Sequence, residues 1–515
     1  MDSIKVRGLR SLVDTGFVDI KPINVLLGTN SSGKSSFLRV FPLLRQSAER
    51  KTRGPILWNG EYTDFESFKT SKHKGCSDET SSDLISFSFN FIYNQGRVNP
   101  YRNAPNIDLK TTICLEELDN SCYTKKLSVN IYGHEINFDF EPDGIIKNIY
   151  SSRITWQLEK NKIKYQLSNT NTIIPILGSP EYHYGYWSRD ISKERKTIMG
   201  NVFNQISNLI QKYTGSQSKN RVDEITSSLV KYIMSDEDKL KTLQSARSTN
   251  KWKGLVENWT VNSSEFVFLS ALADLYTVTN NSMGINSQIT STFRNVRYVA
   301  PLRASTERYY RYQDLSIDEI DHRGENIGMF LTNIPKKWRD KLDKWTRVHF
   351  GFVIDENTSS SHIAINLKYD DYSTNIADMG FGFSQILPII VQLWSVSSGY
   401  ERSLKGTGSE QYIFAIEQPE LHLHPRMQAN LAEVFSSVIK LANDNSIDIR
   451  LIIETHSSSM ISKFGDSVAM EDITADDINI IMFEQDKKER KTKISYSHFN
   501  DDGELENWPD GFFTY

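Results

Sequence analysis

The sequence predicts an α/β protein in which one mixed unit of sheet and helices is interrupted by a long insertion. An apolar run at 23–27, typical of a buried strand, leads into a glycine-rich turn and then into helical periodicity at 37–44. Near the other end, apolar segments at 412–416, 449–453 and 478–483 predict further buried strands. Because strand-and-helix patterns occupy both ends of the chain, we expect them to pack as one unit.

The segment between these ends has a different pattern. From about 96 to 180, alternating segments separated by Asn, Asp and Gly predict antiparallel sheet, and from about 190 to 280 the period becomes helical. We therefore predict three regions: an N-terminal lobe at 1–95, a β-rich and then helical insertion at 96–290, and a C-terminal lobe at 291–515.

Composition and charge limit the kinds of partner that the chain can have. The 515 residues carry 60 basic and 64 acidic side chains, a net charge of −4, so any DNA contact would require a local basic patch. Cys76, Cys114 and Cys122 lack the spacing of a metal site and favour reduced thiols. Without a signal peptide or an apolar stretch of ~20 residues, we expect a cytoplasmic protein that does not span a membrane.

The glycine-rich turn matches the pattern G-x-x-x-x-G-K-S/T in full. Its glycines let the backbone wrap so that N–H groups and the N-terminus of the next helix face phosphate groups. Lys34 supplies a cation for the β- and γ-phosphates, and the Ser35 hydroxyl is positioned to bind Mg²⁺. The sequence thus predicts that ATP and Mg²⁺ are bound by Gly28, Thr29, Asn30, Ser31, Ser32, Gly33, Lys34, Ser35 and Ser36.

Two later strands end in side chains that suit the same site. The apolar strand at 413–416 leads to Glu417, and a parallel strand beside the phosphate loop needs an acid at its carboxyl end to hold Mg²⁺. The buried strand at 451–453 delivers His456, where a sensor of the γ-phosphate belongs. Apolar strands that end in Glu are common, and a lone histidine is usually structural. Each of these two features indicates a functional site only because a phosphate loop is also present.

A third motif, Gly380-Phe381-Gly382-Phe383-Ser384-Gln385, precedes an apolar helix at 386–394. Ser384 is a natural N-terminal cap, and free amides beside a flanking glycine form an anion site. A capped helix without any ligand is the alternative interpretation.

In their order along the chain, these motifs resemble those of the SMC/ABC-type ATPase head, in which the signature motif of one copy closes over the nucleotide bound by the other. The chain is similar in detail to the OLD-like and RecF-like branch of prokaryotic ATPases, and above all to the Septu and retron-associated ATPases of the PtuA type. The resemblance covers roughly the first 70 and the last 220 residues. It rests on GTNSSGKSS, YVAPLR with ERYY, GFGFSQ, IEQPELHLHP, IIETHS and NWPDGFF.

The resemblance implies roles for individual residues. It makes Ser384 and Gln385 the signature that acts across a dimer. Glu417 becomes the acid on the Mg²⁺ side, and His456 becomes the switch histidine. His424 takes a dimer-contact position. A glutamine on the helix after the phosphate loop, Gln46, is a candidate for the residue that senses Mg²⁺.

One departure from the wider superfamily bears on catalysis. Most members have Asp-Glu where this chain has Glu417-Gln418, so the usual general base is an amide, which can orient a water but cannot take its proton. Either Glu420 replaces that base, or hydrolysis is slow and ATP mainly holds a conformation; we favour slow hydrolysis. The predicted catalytic residues are Glu417, Gln418, Glu420 and His456.

The resemblance also implies partners. It suggests a head-to-head dimer in antiphage defence that gates a separate nuclease subunit of HNH type, and further a retron reverse transcriptase with its nucleic acid. OLD nucleases continue into a Toprim nuclease domain, and we expect the residues after His456 to be too few for one. Two alternatives stay open: a DNA repair or recombination clamp of RecF type, and a scaffold that binds ATP without turnover.

Other motifs have simpler interpretations. His422 and His424 have no third ligand nearby in the sequence, which argues against zinc. The aromatic run at 182–187 suits a packed cluster better than a surface for base stacking. Basic residues at 336–347 and 487–493 are typical of solvated surface.

Overall fold

The computed structural model describes residues 1–74, 84–99, 102–153, 155–156, 165–167, 172–177, 198–301, 307–359, 361–405, 411–486 and 491–507. Several residues named above lie outside this part of the chain: Cys76, the aromatic run at 182–187, Leu302 and Arg303 of YVAPLR, Lys487, Lys488 and Arg490, and 508–513 of NWPDGFF. Within the described residues, two large sheets and the helices packed on them form the fold.

The described chain has strands near both ends and a group of helices between them. The strands, in chain order, are β1 (Ser3–Leu9), β2 (Leu12–Asp14), β3 (Val18–Asp19), β4 (Ile23–Gly28), β5 (Ile85–Tyr93), β6 (Arg97–Asn99), β7 (Arg102–Asn103), β8 (Ile107–Leu118), β9 (Ser121–Ile131), β10 (His134–Phe140), β11 (Ile145–Ser151), β12 (Thr155–Trp156), β13 (Tyr165–Gln166), β14 (Val296–Val299), β15 (Tyr310–Arg311), β16 (Val353–Thr358), β17 (His362–Lys368), β18 (Ser373–Asn375), β19 (Gln411–Glu417), β20 (Asp448–Glu454), β21 (Ile478–Asp486), β22 (Lys491–Phe499) and β23 (Leu505–Glu506). The α-helices are α1 (Lys34–Leu38), α2 (Val40–Glu49), α3 (Phe68–Ser71), α4 (Ile198–Thr214), α5 (Lys219–Leu229), α6 (Asp236–Ser245), α7 (Asn250–Val256), α8 (Ser264–Arg294), α9 (Ile327–Thr332), α10 (Lys336–Phe350), α11 (Phe381–Ser397), α12 (Tyr400–Lys405), α13 (Pro425–Asp444) and α14 (Ser458–Ala469). Short 3-10 helices span Ile376–Asp378 and Ala475–Asp477.

One sheet joins the two ends of the chain, as predicted. Its order is β14-β19-β20-β4-β21-β22-β23, and its first five strands run parallel. All six residues of β4 are buried, because a parallel strand in the middle of a sheet is covered on both faces, which explains its continuous apolar sequence. Since parallel strands end at the same edge, the carboxyl ends of β4, β19 and β20 lie where the phosphate loop begins.

The second large sheet is antiparallel and combines strands of the predicted insertion with the first strands of the chain. Its order is β12-β11-β10-β9-β8-β5-β1-β2, with β3 paired to β1 and β13 to β11. One apolar cluster contains residues of this sheet, of α1 and α2, and of α4 to α8. The helices that follow the phosphate loop therefore share a core with the insertion.

A third, small sheet lies in the C-terminal part of the chain. β15, β17 and β16 pair in that order, with β18 on β17, and their apolar residues join the core of α9 to α14. Helices α9 and α10 lie between β15 and β16 in the chain. Among the helices in the described part of the chain, none combines the length and the apolar composition that crossing a bilayer requires.

Candidate nucleotide-binding site

The phosphate loop connects β4 to α1 and has the predicted strand–loop–helix form. Gly28 and Gly33 have φ angles of 150° and 106°, in the region that favours glycine. A Cβ atom on Gly28 would lie 2.2 Å from the carbonyl oxygen of Phe483, and one on Gly33 would lie 2.7 Å from the hydroxyl of Thr492. Both glycines are therefore required, and β21 and β22 support the loop from one side.

Lys34 is the first residue of α1, and only 3% of its surface is exposed. Its Nζ donates to the carbonyl oxygens of Gly28 at 2.8 Å and of Thr29 at 2.9 Å. Burial lowers the pKa of Lys34, and the carboxylates of Glu454 and Glu420 oppose that shift. The ammonium group is therefore fixed at the loop, where this lysine would meet phosphate oxygens.

Ser35 contacts an acid that the sequence analysis did not select. The Oγ of Ser35 donates to Oε1 of Glu454 at 2.8 Å, and Nζ of Lys34 lies 4.0 Å from the same oxygen. Glu454 is the last residue of β20 and is 3% exposed. Burial raises the pKa of Glu454, and the hydrogen bond from Ser35 only partly offsets that shift.

The donors around Ser35 fit Mg²⁺. Oε2 of Glu454 is buried and, within the described residues, has no hydrogen-bond partner. Mg²⁺ usually takes one or two ligands from side-chain oxygens and the rest from waters and phosphates. Within the described chain, no three His, Cys, Asp or Glu side chains are grouped closely enough to hold an ion alone. Ser35 and Glu454 would hold the ion here, and it would neutralise charge on the phosphates.

The strand that ends in Glu417 does not lie directly beside the strand of the phosphate loop, so that prediction is wrong. β20 is inserted between β19 and β4. The two carboxylate oxygens of Glu417 accept hydrogen bonds from Nε and Nη2 of Arg39 at 2.7 Å each, and the hydroxyl of Tyr298 donates to Oε1 at 2.8 Å. Glu417 is thus a buried carboxylate held by a bidentate arginine, and its role on the Mg²⁺ side stays a prediction.

The residues that follow β19 and β20 are hydrogen-bonded to each other. Oε1 of Glu420 accepts from the backbone N–H of His456 at 2.6 Å. Gln418 has a φ of 40°, and its N–H donates to the carbonyl oxygen of Glu454 at 2.8 Å. Partial burial, and then the charge of Lys34, lower the pKa of His456, which favours the neutral imidazole. The structure brings these predicted residues together, and their catalytic roles stay predictions.

The signature segment begins α11 in a different register from the prediction. The helix starts at Phe381, and Gly380, with a φ of 84°, occupies the N-cap position. The positive φ of the N-cap position suits glycine. Ser384 lies inside the helix and is therefore not its cap. The side chain of Ser384 lies outside the described part of the structure, whereas Gln385 is buried. Action of this pair across a dimer stays a prediction.

Two residues with implied roles stabilise local structure. The side-chain amide of Gln46 donates to the carbonyl oxygens of Leu57 at 2.6 Å and Thr63 at 3.1 Å, and its Oε1 accepts from the N–H of Thr63. Because these bonds hold the loop after α2, the structure does not support Gln46 as a sensor of Mg²⁺. His424 caps α13, since its Nδ1 accepts from the N–H of Arg426 at 3.3 Å.

The sequence analysis missed three residues of this site. Glu454 follows an apolar strand in the same way as Glu417, so the same pattern could have identified it. Arg39 has no comparable signal, because it is 378 residues away from its partner Glu417 along the chain. Tyr298 lies in YVAPLR, which contributed to the resemblance but indicated no role for this tyrosine. Their contacts depend on which strands become neighbours.

Comparison with known proteins identifies the family. The family model of the AAA ATPase domain matches residues 1–461, and one described as protein of unknown function (DUF3696) matches residues 473–514. No curated protein matches. Among solved structures, the SMC head domain from Thermotoga maritima is 7% identical, with 96% of this chain and 98% of that chain covered and a TM-score of 0.33. The recombination mediator protein RecF with ATP is 10% identical, with 96% and 98% covered and a TM-score of 0.28.

The match to the AAA ATPase domain spans most of the chain. The chain also has the glycines that shape a phosphate loop at the carboxyl edge of a parallel sheet. On this match and this loop, the protein belongs to the AAA ATPase domain family.

Proposed function

We propose that the chain binds Mg²⁺–ATP at the phosphate loop, hydrolyses it slowly and uses the bound nucleotide to hold two copies head to head. The proposal rests on one observation: Lys34, Ser35 and Glu454 lie close together at the carboxyl ends of the neighbouring strands β4 and β20. A buried cation beside a hydroxyl–carboxylate pair suits a triphosphate with its metal ion.

Slow hydrolysis is supported by the groups that could take a proton from water. Gln418 is an amide and cannot do so. Glu420 is buried, and one of its carboxylate oxygens accepts the backbone N–H of His456 at 2.6 Å. That hydrogen bond commits one of the two carboxylate oxygens of Glu420 to the backbone that follows β20.

Steady-state turnover of three proteins tests the proposed rate. Wild type is expected to turn over slowly, and Gln418→Glu, which supplies a carboxylate, is expected to raise kcat by about tenfold or more, well within what general base catalysis contributes. Glu420→Gln is expected to change kcat little. Phosphate release at saturating ATP and Mg²⁺ measures all three. Rapid wild-type turnover that only Glu420→Gln abolishes would assign the base to Glu420 and contradict slow hydrolysis.

Dimerisation is proposed through the start of α11, where Ser384 and Gln385 would close over the nucleotide of the second copy. ATP is expected to shift wild type toward a dimer in sedimentation velocity. Ser384→Arg, which adds bulk and charge at this helix start, is expected to leave ATP binding intact and to abolish the shift. A sedimentation coefficient that changes neither on addition of ATP nor with Ser384→Arg would contradict the head-to-head dimer.

The proposed partners are based on the resemblance of the sequence to Septu and retron-associated ATPases. In this proposal, the dimer gates a separate HNH nuclease in antiphage defence, with a retron reverse transcriptase and its nucleic acid as a further partner. Co-expression with neighbouring open reading frames is the test. Nuclease activity that responds to ATP with wild type, and not with Lys34→Ala, supports gating. Salt-dependent DNA binding by the dimer alone, without a nuclease partner, favours the clamp of RecF type.

A further inference from the structure

Helix α10 presents a basic side to solvent. Its exposed side chains are five basic ones, one acid, Asp340, and one apolar one, Val348. Because successive residues of an α-helix are about 100° apart around its axis, all of them fall within about 140° of the helix surface. Five positive charges against one negative charge contrast with the net charge of −4 of the whole chain. The five basic residues, which we call the α10 basic face, are Lys336, Lys337, Lys341, Lys344 and Arg347.

The other side of α10 holds the helix on the fold. Leu342 and Thr346 are buried, and Trp338 is partly buried against the same core as Leu342. The guanidinium of Arg339 donates to the carbonyl oxygen of Ile354 on β16. Because this side packs on the protein, the α10 basic face is left for solvent or for a partner.

The charges of the α10 basic face are not neutralised by neighbouring acids. In the described part of the chain, the ion pairs of α10 belong to Arg339, and no residue of the face forms one there. Within the face, Lys341 lies four residues after Lys337 and three before Lys344. Like charges at these spacings destabilise a helix, and an anionic partner would remove that cost.

We propose that the α10 basic face binds the phosphate backbone of a nucleic-acid duplex. From Lys336 to Arg347 the face extends ~16 Å along the helix axis. One strand of a DNA duplex has a phosphate every ~3.4 Å of its axis, so the face matches the length of about five phosphates. Contacts of this kind position a duplex without reading its sequence. The inference goes beyond the proposed function, because the face is complete without ATP or a second copy.

Other anionic partners fit the α10 basic face less well. Protein interfaces have an apolar core and are depleted in lysine, whereas this side of α10 has one apolar residue, Val348, near its end. A helix that lies on a membrane needs a wide apolar side, which α10 packs against the protein. Single strands are bound by stacking on aromatic side chains, and none of the exposed residues that the structure describes in α10 is aromatic. The phosphates of a duplex require positive charge alone.

The salt dependence of duplex binding tests the inference. We would measure the anisotropy of fluorescent DNA and RNA duplexes without nucleotide, between about 50 and 200 mM salt. The triple substitution Lys337→Gln, Lys341→Gln and Lys344→Gln is expected to lower the affinity at the lowest salt by about tenfold or more. The slope of log affinity against log salt should become shallower by about three, since each lysine–phosphate contact contributes about one. Loss of binding to the DNA duplex, the RNA duplex or both supports the inference and identifies the source of the phosphates.

A second triple variant controls for net charge. Lys212→Gln, Lys219→Gln and Lys251→Gln replace exposed lysines of α4, α5 and α7 and change the net charge by the same amount. This variant is expected to bind both duplexes as wild type does. If the melting curve shows that the α10 triple variant does not fold, Lys344→Gln alone replaces it, with an expected change in slope of about one.

Several results would overturn the inference. A wild type that binds neither duplex, or binds without dependence on salt, would do so, and so would equal losses in the two triple variants. An unchanged affinity and slope in the α10 variant would have the same consequence. Duplex binding that appears only after Mg²⁺–ATP is added would also overturn it and would favour the clamp of RecF type. None of these results decides whether the phosphate loop binds ATP, so failure of this inference is distinct from failure of the proposed function.

Discussion

The affinity for ATP is expected to fall about 10–10²-fold in Lys34→Ala, because a hydrogen bond between charged groups contributes about 1.5–3 kcal/mol. The ammonium group of Lys34 is buried at the loop and held by the carbonyl oxygens of Gly28 and Thr29. The neighbouring guanidinium of Arg39 is committed to Glu417 and does not replace it. Isothermal titration calorimetry with Mg²⁺–ATP measures the change.

The controls for this experiment separate lost charge from a damaged loop. Lys34→Met keeps most of the side-chain stem and is expected to lose affinity to the same extent as Lys34→Ala. Lys21→Ala removes a lysine whose contact, with Asp476 at 3.8 Å, lies at the surface, and it is expected to bind ATP as wild type does. An unchanged affinity in a folded Lys34→Met would contradict every ATP-dependent proposal made above.

The phosphate loop could be predicted from the sequence because its determinants are local. Gly28 and Gly33 provide backbone angles that other residues rarely adopt, and Lys34 begins the helix directly after them. The buried strand before the loop follows from its continuous apolar run, since both faces of a central parallel strand are covered.

The arrangement of the acids could be predicted only in part. Glu417 and Glu454 both end apolar strands, which places them at the carboxyl edge of a parallel sheet. Which of the two lies beside the loop depends on strand order, and strand order is decided by packing between distant segments. The same limit hid the contact of Arg39 with Glu417, and it gave Gln46 a role that its bonds to a nearby loop do not support.

A second large effect is expected for stability, at a buried ion network next to Tyr298. Arg297 on β14 has no exposed side-chain surface, and the side chain of Glu401 on α12 is 1% exposed. Nη2 of Arg297 donates to Oε1 of Glu401, and Nη1 lies 3.3 Å from Oε2 of Glu319. Glu319 also binds Arg45, at 2.7 Å and 3.0 Å, so its charge is shared between two arginines.

Glu401→Gln is expected to lower the free energy of unfolding by about 3–5 kcal/mol. The buried guanidinium of Arg297 would then have only the carboxylate of Glu319, which it shares with Arg45. Asp378→Asn is the matched control: its ion pair with Arg308 is about half exposed, and its loss should cost about 0–1 kcal/mol. The double substitution Arg297→Met and Glu401→Leu should recover much of the loss, since apolar side chains then fill the space of the buried pair. Urea unfolding followed by circular dichroism measures all four proteins. Equal losses of unfolding free energy in Glu401→Gln and Asp378→Asn would contradict this prediction, because the buried pair would then stabilise the fold no more than a surface pair.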